Sequence, residues 1–169
     1  DAGLTDKLKM QKNFGMCDTV SYPEIAGNAK MNEFQAAMGL CNLRHIDNEI
    51  AKRKMVAERY IERLNGIDGI MPWKPQNGVK HNYAYFPVLF DKDVFGKSRD
   101  EVAEKLLEDG IFARKYFYPI TSEFECYKGK VTIQPTPIAK KAAEKVLTLP
   151  MYADLALDDV DRICDIILK

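Results

Sequence analysis

The sequence predicts an α+β fold: a small antiparallel sheet with helices on one face, preceded by a long, kinked helix. Three observations carry this. A helical period runs from Asn32 to about Leu64. The stretch His81–Phe90 is apolar on both of its alternating sides. From Ser98 onward, helical segments with start and stop signals alternate with short extended ones. No internal repeat or low-complexity tract breaks the order.

In chain order, Thr5–Phe14 is a short, amphipathic, basic stretch with Leu4, Leu8 and Met10 apolar, ending at Asn13-Phe14-Gly15. Met16–Ile25 is a loop broken by Pro23. In Ala26–Leu43 a glycine and two asparagines lead into an apolar helical run. Asn32 followed three residues on by Gln35 has the pattern of a capping box, and Glu33 sits well against the helix macrodipole. Phe34, Ala37, Met38 and Cys41 fall at i, i+3, i+4, i+7, which predicts one buried face. The small residues Ala36, Ala37 and Gly39 permit close approach of another backbone. This is a tightly packed helix whose start offers polar groups to something anionic.

The period changes face near Arg44-His45-Ile46-Asp47, where the long helix is expected to kink or divide. Beyond it Ile46, Ile50, Ala57, Tyr60, Ile61 and Leu64 form a new stripe opposite a charged, solvated face. Gly66–Gly78 is a turn-rich connector. His81–Phe90 follows as a largely buried strand in which Pro87 argues for an edge or a bulge. Ser98 caps a helix over Arg99–Asp109, with Glu101 at its third position and Gly110 as terminator. Ile111–Phe117 reads as a second strand running into Tyr118-Pro119, and Ser122–Tyr127 as a short helical piece. Pro137 opens a helix reaching about Val146. Leu147–Pro150 is extended, and Asp158–Leu168 closes the chain as an amphipathic helix.

Composition narrows the function classes. With 46% hydrophobic and 30% charged residues, zero net charge and a pI near 6.9, this is ordinary globular material. No global field would draw it to nucleic acid or an anionic membrane. The four cysteines are dispersed and there are only two histidines, so no metal-ligand spacing arises. Reduced thiols in a cytoplasmic protein is the expectation. No apolar run of ~18 residues and no signal-peptide pattern is present. The start at Asp1, without methionine, suggests a fragment or a trimmed chain.

A few residues stand out chemically. The Asn28 amide, just ahead of a helix start, can donate to a phosphate oxygen, though a plain loop asparagine reads the same way. Lys30 is a point charge for an anion or for a surface ion pair. Tyr116, Phe117 and Tyr118, with Arg114 nearby, suit stacking and hydrogen bonding to a ligand or an aromatic core. His81 and Tyr83 open the first strand and either border a pocket or pack. Trp73, bracketed by prolines, is a packing anchor or a base-stacking platform.

The run Gly27-Asn28-x-Lys30-Met31-x-Glu33-x-Gln35-Ala36-Ala37-x-Gly39-Leu40 resembles a motif of the DegT/DnrJ/StrS family of sugar aminotransferases, which are fold-type I pyridoxal-phosphate (PLP) enzymes. The resemblance extends through Gly110-Ile111-x-Ala113-Arg114, Tyr118-Pro119-Ile120, Leu147-Thr148-Leu149-Pro150 and Asp158-Asp159-Val160. It implies that residues 1–30 are the tail of the large PLP-binding domain, 31–65 a long connecting and interface helix, and 66–169 the small C-terminal α+β domain. No lysine here matches the family's Schiff-base lysine, so the resemblance puts that residue upstream of Asp1 and assigns no catalytic residue within the chain.

By the same resemblance, Asn28 binds the PLP phosphate of a partner subunit in a homodimer with shared active sites. Lys30 stands where the family often has arginine. Arg114, Tyr116, Phe117, Tyr118, His81 and Tyr83 fall near the substrate, with Phe117 replacing a histidine common in the family. The implied activity is amino transfer from an amino acid, glutamate, to a nucleotide-linked keto-deoxysugar, serving surface polysaccharide, O-antigen or antibiotic sugar pathways. A PLP-dependent sugar dehydratase of the same fold and a non-catalytic dimerisation or ligand-binding fragment remain open at this point.

Overall fold

The computed structural model describes residues 2–127, 129–130 and 132–169. The chain divides into two compact units, Asp1–Ile46 and Asp47–Lys169.

The first unit holds α1 (Ala2–Gln11) and α2 (Glu33–Leu43). After α1 the chain turns at Phe14 and Gly15, which have φ of 62° and 76°. Gly15 is required there for two reasons. Its backbone is left-handed, and a Cβ would stand 1.9 Å from the Glu24 carbonyl oxygen. The turn lets residues 12–14 run back against 27–29 through an isolated antiparallel bridge between Asn13 and Asn28.

Helix α2 begins with the expected capping box. The Gln35 N–H donates to Asn32 Oδ1 at 2.9 Å, and the Asn32 N–H donates to Gln35 Oε1 at 3.0 Å. The expected buried face is not found. Phe34 is 88% and Met38 63% exposed, Ala37 and Cys41 are also exposed, and α2 buries no residue. Periodicity reports that a helix face is apolar; whether anything covers it depends on neighbours, and none of the described residues does so.

The second unit is an α+β layer. The long helical period divides at Arg44-His45, and α3 (Ile46–Leu64) directs Val56, Ala57, Tyr60 and Leu64 into the core. The sheet has three antiparallel strands in the order β1 (Ile70–Pro72), β2 (Phe86–Phe90) and β3 (Val146–Leu149). On β2, Phe86, Val88 and Phe90 are buried while Pro87 and Leu89 are half-buried. Tyr60 stacks on Phe86 with ring centroids 4.9 Å apart and donates its hydroxyl to the Pro150 carbonyl at 3.0 Å. The short α4 (Lys92–Phe95) precedes α5 (Arg99–Glu108), whose capping box joins Ser98 and Glu101. After two single-turn 3₁₀ segments at Thr121–Glu123 and Glu125–Tyr127 come α6 (Pro137–Lys145) and α7 (Leu157–Leu168). From α7, Val160, Ile163, Cys164, Ile166 and Ile167 complete the core.

Three expectations are corrected here. Pro87 lies on the central strand, neither at an edge nor in a bulge. It is tolerated because its nitrogen faces Trp73, one residue beyond the end of β1, so only a terminal ladder bond is lost; the Trp73 N–H still donates to the Pro87 carbonyl at 2.9 Å. The strand expected from His81 begins only at Phe86, since Tyr83 has φ of 51° and the Asn82 side chain accepts from the Ala84 N–H. The strand expected over Ile111–Phe117 reduces to one bridge, Arg114 with Thr148, before the chain turns at Tyr116-Phe117. Strand β1 lies in the stretch read from sequence as a connector, and α4 in residues 91–97, to which the sequence assigns no element.

Candidate functional site

The residues singled out from the sequence form three groups, one in the first unit and two in the second.

In the first unit, Asn28 is exposed on the bridge with Asn13. Its Oδ1 accepts from the Lys30 N–H at 3.4 Å, and among the described residues its NH₂ has no acceptor. Lys30 is engaged inside its own unit. Its Nζ donates to Asn13 Oδ1 at 2.8 Å and lies 4.3 Å from the centre of the Phe14 ring. The start of α2 contributes less to anion binding than the sequence suggests. Two leading N–H groups are taken by the capping box, and Glu33 adds a carboxylate to the first turn. The Asn28 side chain offers a further donor to an anion.

In the second unit, Arg114 is anchored to β3 by a pair of backbone bonds: its N–H donates to the Thr148 carbonyl at 3.0 Å and its carbonyl accepts from the Thr148 N–H at 2.7 Å. The guanidinium donates to the Tyr116 hydroxyl. Tyr116 stacks on Phe117 at 4.8 Å and meets Tyr85 edge-on at 5.8 Å. Tyr85, Phe112, Arg114, Tyr116, Thr148 and Met151 border an open cavity of about 290 Å³. A cation fixed beside aromatic faces suits a phosphorylated, ring-bearing ligand.

Tyr118 sits over the buried Arg99 guanidinium, 4.3 Å from its ring centre. Arg99 also donates to the carbonyls of Ala143 at 2.8 Å and Val146 at 3.1 Å, so the aromatic segment rests on a fixed base. Beside it, Asp100 pairs with Arg99 and Lys115. Burial pushes the Asp100 carboxyl up, but the Lys115 hydrogen bond and the Arg99 charge together hold it below the usual carboxylate range.

His81 and Tyr83 form a separate group around Trp73, whose ring meets theirs edge-on at 4.8 Å and 5.9 Å. His81 Nε2 accepts from the Gln76 N–H at 3.0 Å. No ring contact ties this group to Tyr116 among the described residues.

Sequence reasoning passed over Tyr85, Phe112, Thr148 and Arg99. Tyr85 carried a readable signal: it is an exposed aromatic just before the alternation of Phe86, Val88 and Phe90 begins. The others reach the site only through tertiary pairing. Among the described residues no lysine is buried, no group of three or more His, Cys, Asp and Glu side chains is poised for a metal, and no helix is long and apolar enough to cross a membrane.

Comparison with known proteins adds the following. The model of the DegT/DnrJ/EryC1/StrS aminotransferase family matches residues 1–168. A dTDP-4-amino-4,6-dideoxy-D-glucose transaminase of Escherichia coli is 41% identical over 172 aligned positions, covering 99% of this chain and 46% of the relative. The Shigella dysenteriae protein of the same name is 37% identical over 95% of this chain and 43% of its own length. A crystal structure of DesI in the presence of its TDP-sugar product superimposes with a TM-score of 0.88 at 32% identity, covering 99% of this chain and 43% of DesI. The chain thus spans about half the length of the curated relatives it matches.

Proposed function

The chain belongs to the DegT/DnrJ/EryC1/StrS aminotransferase family, and we propose that it is the C-terminal part of a PLP-dependent transaminase acting on a dTDP-linked 4-keto-6-deoxyhexose. The amino donor is an amino acid, glutamate, and the enzyme works in the cytoplasm as a homodimer. The relation to the E. coli transaminase along almost the whole chain carries this reading. Residues 1–30 then complete a large cofactor-binding domain, and the catalytic lysine lies outside these 169 residues. That none of the described lysines is buried supports this placement, since a Schiff-base lysine works from a desolvated site.

The residues present fit the cofactor at one point. Asn28 offers an amide NH₂ with no acceptor of its own among the described residues, and a phosphate oxygen supplies one. In this reading Asn28 holds the cofactor phosphate of the partner subunit, and the exposed apolar face of α2, with Phe34 and Met38, supports an interface beside it. PLP, when bound, supplies the electron sink for moving an amino group between amino acid and sugar. Arg114 pairs with the diphosphate, and Tyr116 and Phe117 stack against the sugar nucleotide with Tyr118 beside them in sequence. His81 and Tyr83, grouped on Trp73, offer a second candidate substrate contact.

Two measurements test the proposal. The full-length protein supplied with dTDP-4-keto-6-deoxyglucose and glutamate is expected to yield the 4-amino sugar nucleotide; PLP-loaded protein that forms none overturns the substrate assignment. Asn28→Ala is expected to weaken PLP retention by about 1–3 kcal/mol, the scale of a hydrogen bond to a charged group. Unchanged retention removes Asn28 from the phosphate site.

A further inference from the structure

Asn28 can serve a phosphate only if its amide is aimed, and an exposed loop asparagine is not aimed by default. The bridge beneath it consists of two backbone bonds, Phe14 N–H to the Gly27 carbonyl at 3.0 Å and Ala29 N–H to the Lys12 carbonyl at 2.9 Å. Two such bonds on an exposed surface open readily. Lys30 spans the bridge from the Asn28 side to the Asn13 side. Its ammonium donates to Asn13 Oδ1 at 2.8 Å and rests 4.3 Å from the centre of the Phe14 ring, while its backbone N–H holds Asn28 Oδ1 at 3.4 Å. One residue therefore clamps the two segments together and holds the oxygen edge of the Asn28 amide. Both partners of the side chain are neutral, and no carboxylate pairs with Lys30 among the described residues, so nothing in its own unit competes for the ammonium.

We infer that Lys30 is a positioning residue: with Asn13 and Phe14 it latches the bridge that presents the Asn28 amide, rather than touching a ligand itself. This rests on the reading of Asn28 as a phosphate donor. It makes Asn13 and Phe14, which touch no ligand in that reading, determinants of cofactor retention.

The test uses the full-length protein. Lys30→Met and Asn13→Ala are each expected to weaken PLP binding about fivefold, one net hydrogen bond's worth. The double variant is expected to be no weaker than either single one, because both remove the same contact. Lys30→Arg, which still donates to Asn13 and stacks on Phe14, is expected to retain binding. Hydrogen exchange at the Phe14 and Ala29 amides is expected to quicken in Lys30→Met. If Asn13→Ala leaves PLP binding intact, or the two losses add, Lys30 works by direct ligand contact and the latch is overturned. Unchanged exchange at Phe14 and Ala29 overturns it as well. Failure of the phosphate reading looks different: Asn28→Ala then leaves PLP affinity unchanged while exchange still responds to Lys30→Met, and the latch loses its role in cofactor retention.

Discussion

Arg59 grips Asp161 with two parallel hydrogen bonds, Nε to Oδ1 at 2.8 Å and Nη2 to Oδ2 at 2.6 Å. Arg63, one turn on, donates to the same carboxylate at 2.6 Å, so α3 and α7 are joined by a forked ion pair. The Arg59 hydrogen bond is the largest influence holding the Asp161 carboxyl below its ordinary range. A depressed folded-state value means the stabilisation is present above the unfolded value and is lost as pH falls through the folded one. Asp161→Asn is expected to lower Tm by a few degrees at neutral pH and to narrow that gap in acid. Thermal unfolding across a pH series checks both; a gap that stays constant into acid would show that Asp161 acts by packing alone.

Glu101 gives a second acid-sensitive contribution with a sharper window. Its carboxylate accepts from the Ser98 N–H and hydroxyl, both at 2.7 Å, with Lys92 alongside at 3.2 Å. These bonds push its pKa from 4.5 down to about 2. The contribution is therefore complete above pH 4.5 and disappears as pH falls toward 2. The difference in urea midpoint between the protein and Glu101→Gln is expected to shrink over that interval.

At Gly15 the expected effect is local and severe. Alanine there must adopt a left-handed φ and place Cβ 1.9 Å from the Glu24 carbonyl oxygen, so the turn has to open. Gly15→Ala is expected to accelerate amide exchange at Phe14 and Ala29, the bonds of the Asn13–Asn28 bridge. Retained protection would mean that the 24–27 segment gives way at little cost.

Tyr60 and Leu147 calibrate the core. Tyr60→Phe keeps the stack on Phe86 and deletes only the bond to the Pro150 carbonyl, an expected loss of about 1 kcal/mol. Leu147, fully buried on β3, is expected to cost about 2–5 kcal/mol as alanine. Chemical denaturation of both variants should preserve this order.

Cys164 is buried in α7, and burial pushes its thiol up to about 12. It is expected to resist alkylation in the folded protein and to react at the rate of global unfolding. Modification at a rate independent of denaturant would place it in a locally opening segment.

What could be read from sequence follows the range of each signal. Asn32 with Gln35, Ser98 with Glu101, and Pro137 at the first turn of α6 are decided within four residues, and each is where the sequence put it. The division at Arg44-His45 was legible because two apolar stripes cannot share one straight face. Pro87 was misplaced because its tolerance depends on where β1 ends, which no local pattern states. Arg114 was misassigned to a strand because its single pairing with Thr148 spans 34 residues. At the candidate site, Asn28 and Arg114 were visible as chemistry, whereas the Lys30 contacts with Asn13 and Phe14 depend on the turn at Gly15.

The ends of the three-stranded sheet carry one more implication. On the outer side of β1, the Ile70 N–H is spent on the Ile67 carbonyl at 3.1 Å, and Pro72 has none to give. On the outer side of β3, Arg114 occupies both polar groups of Thr148, the Val146 N–H is bonded to the Ala142 carbonyl, and the Val146 carbonyl accepts from Arg99. An incoming strand meets no vacant donor at these positions, so the sheet is protected against templated stacking and amyloid-like growth. The same arginine that borders the candidate ligand cavity thus also guards the sheet edge against aggregation, because its backbone occupies both polar groups of Thr148.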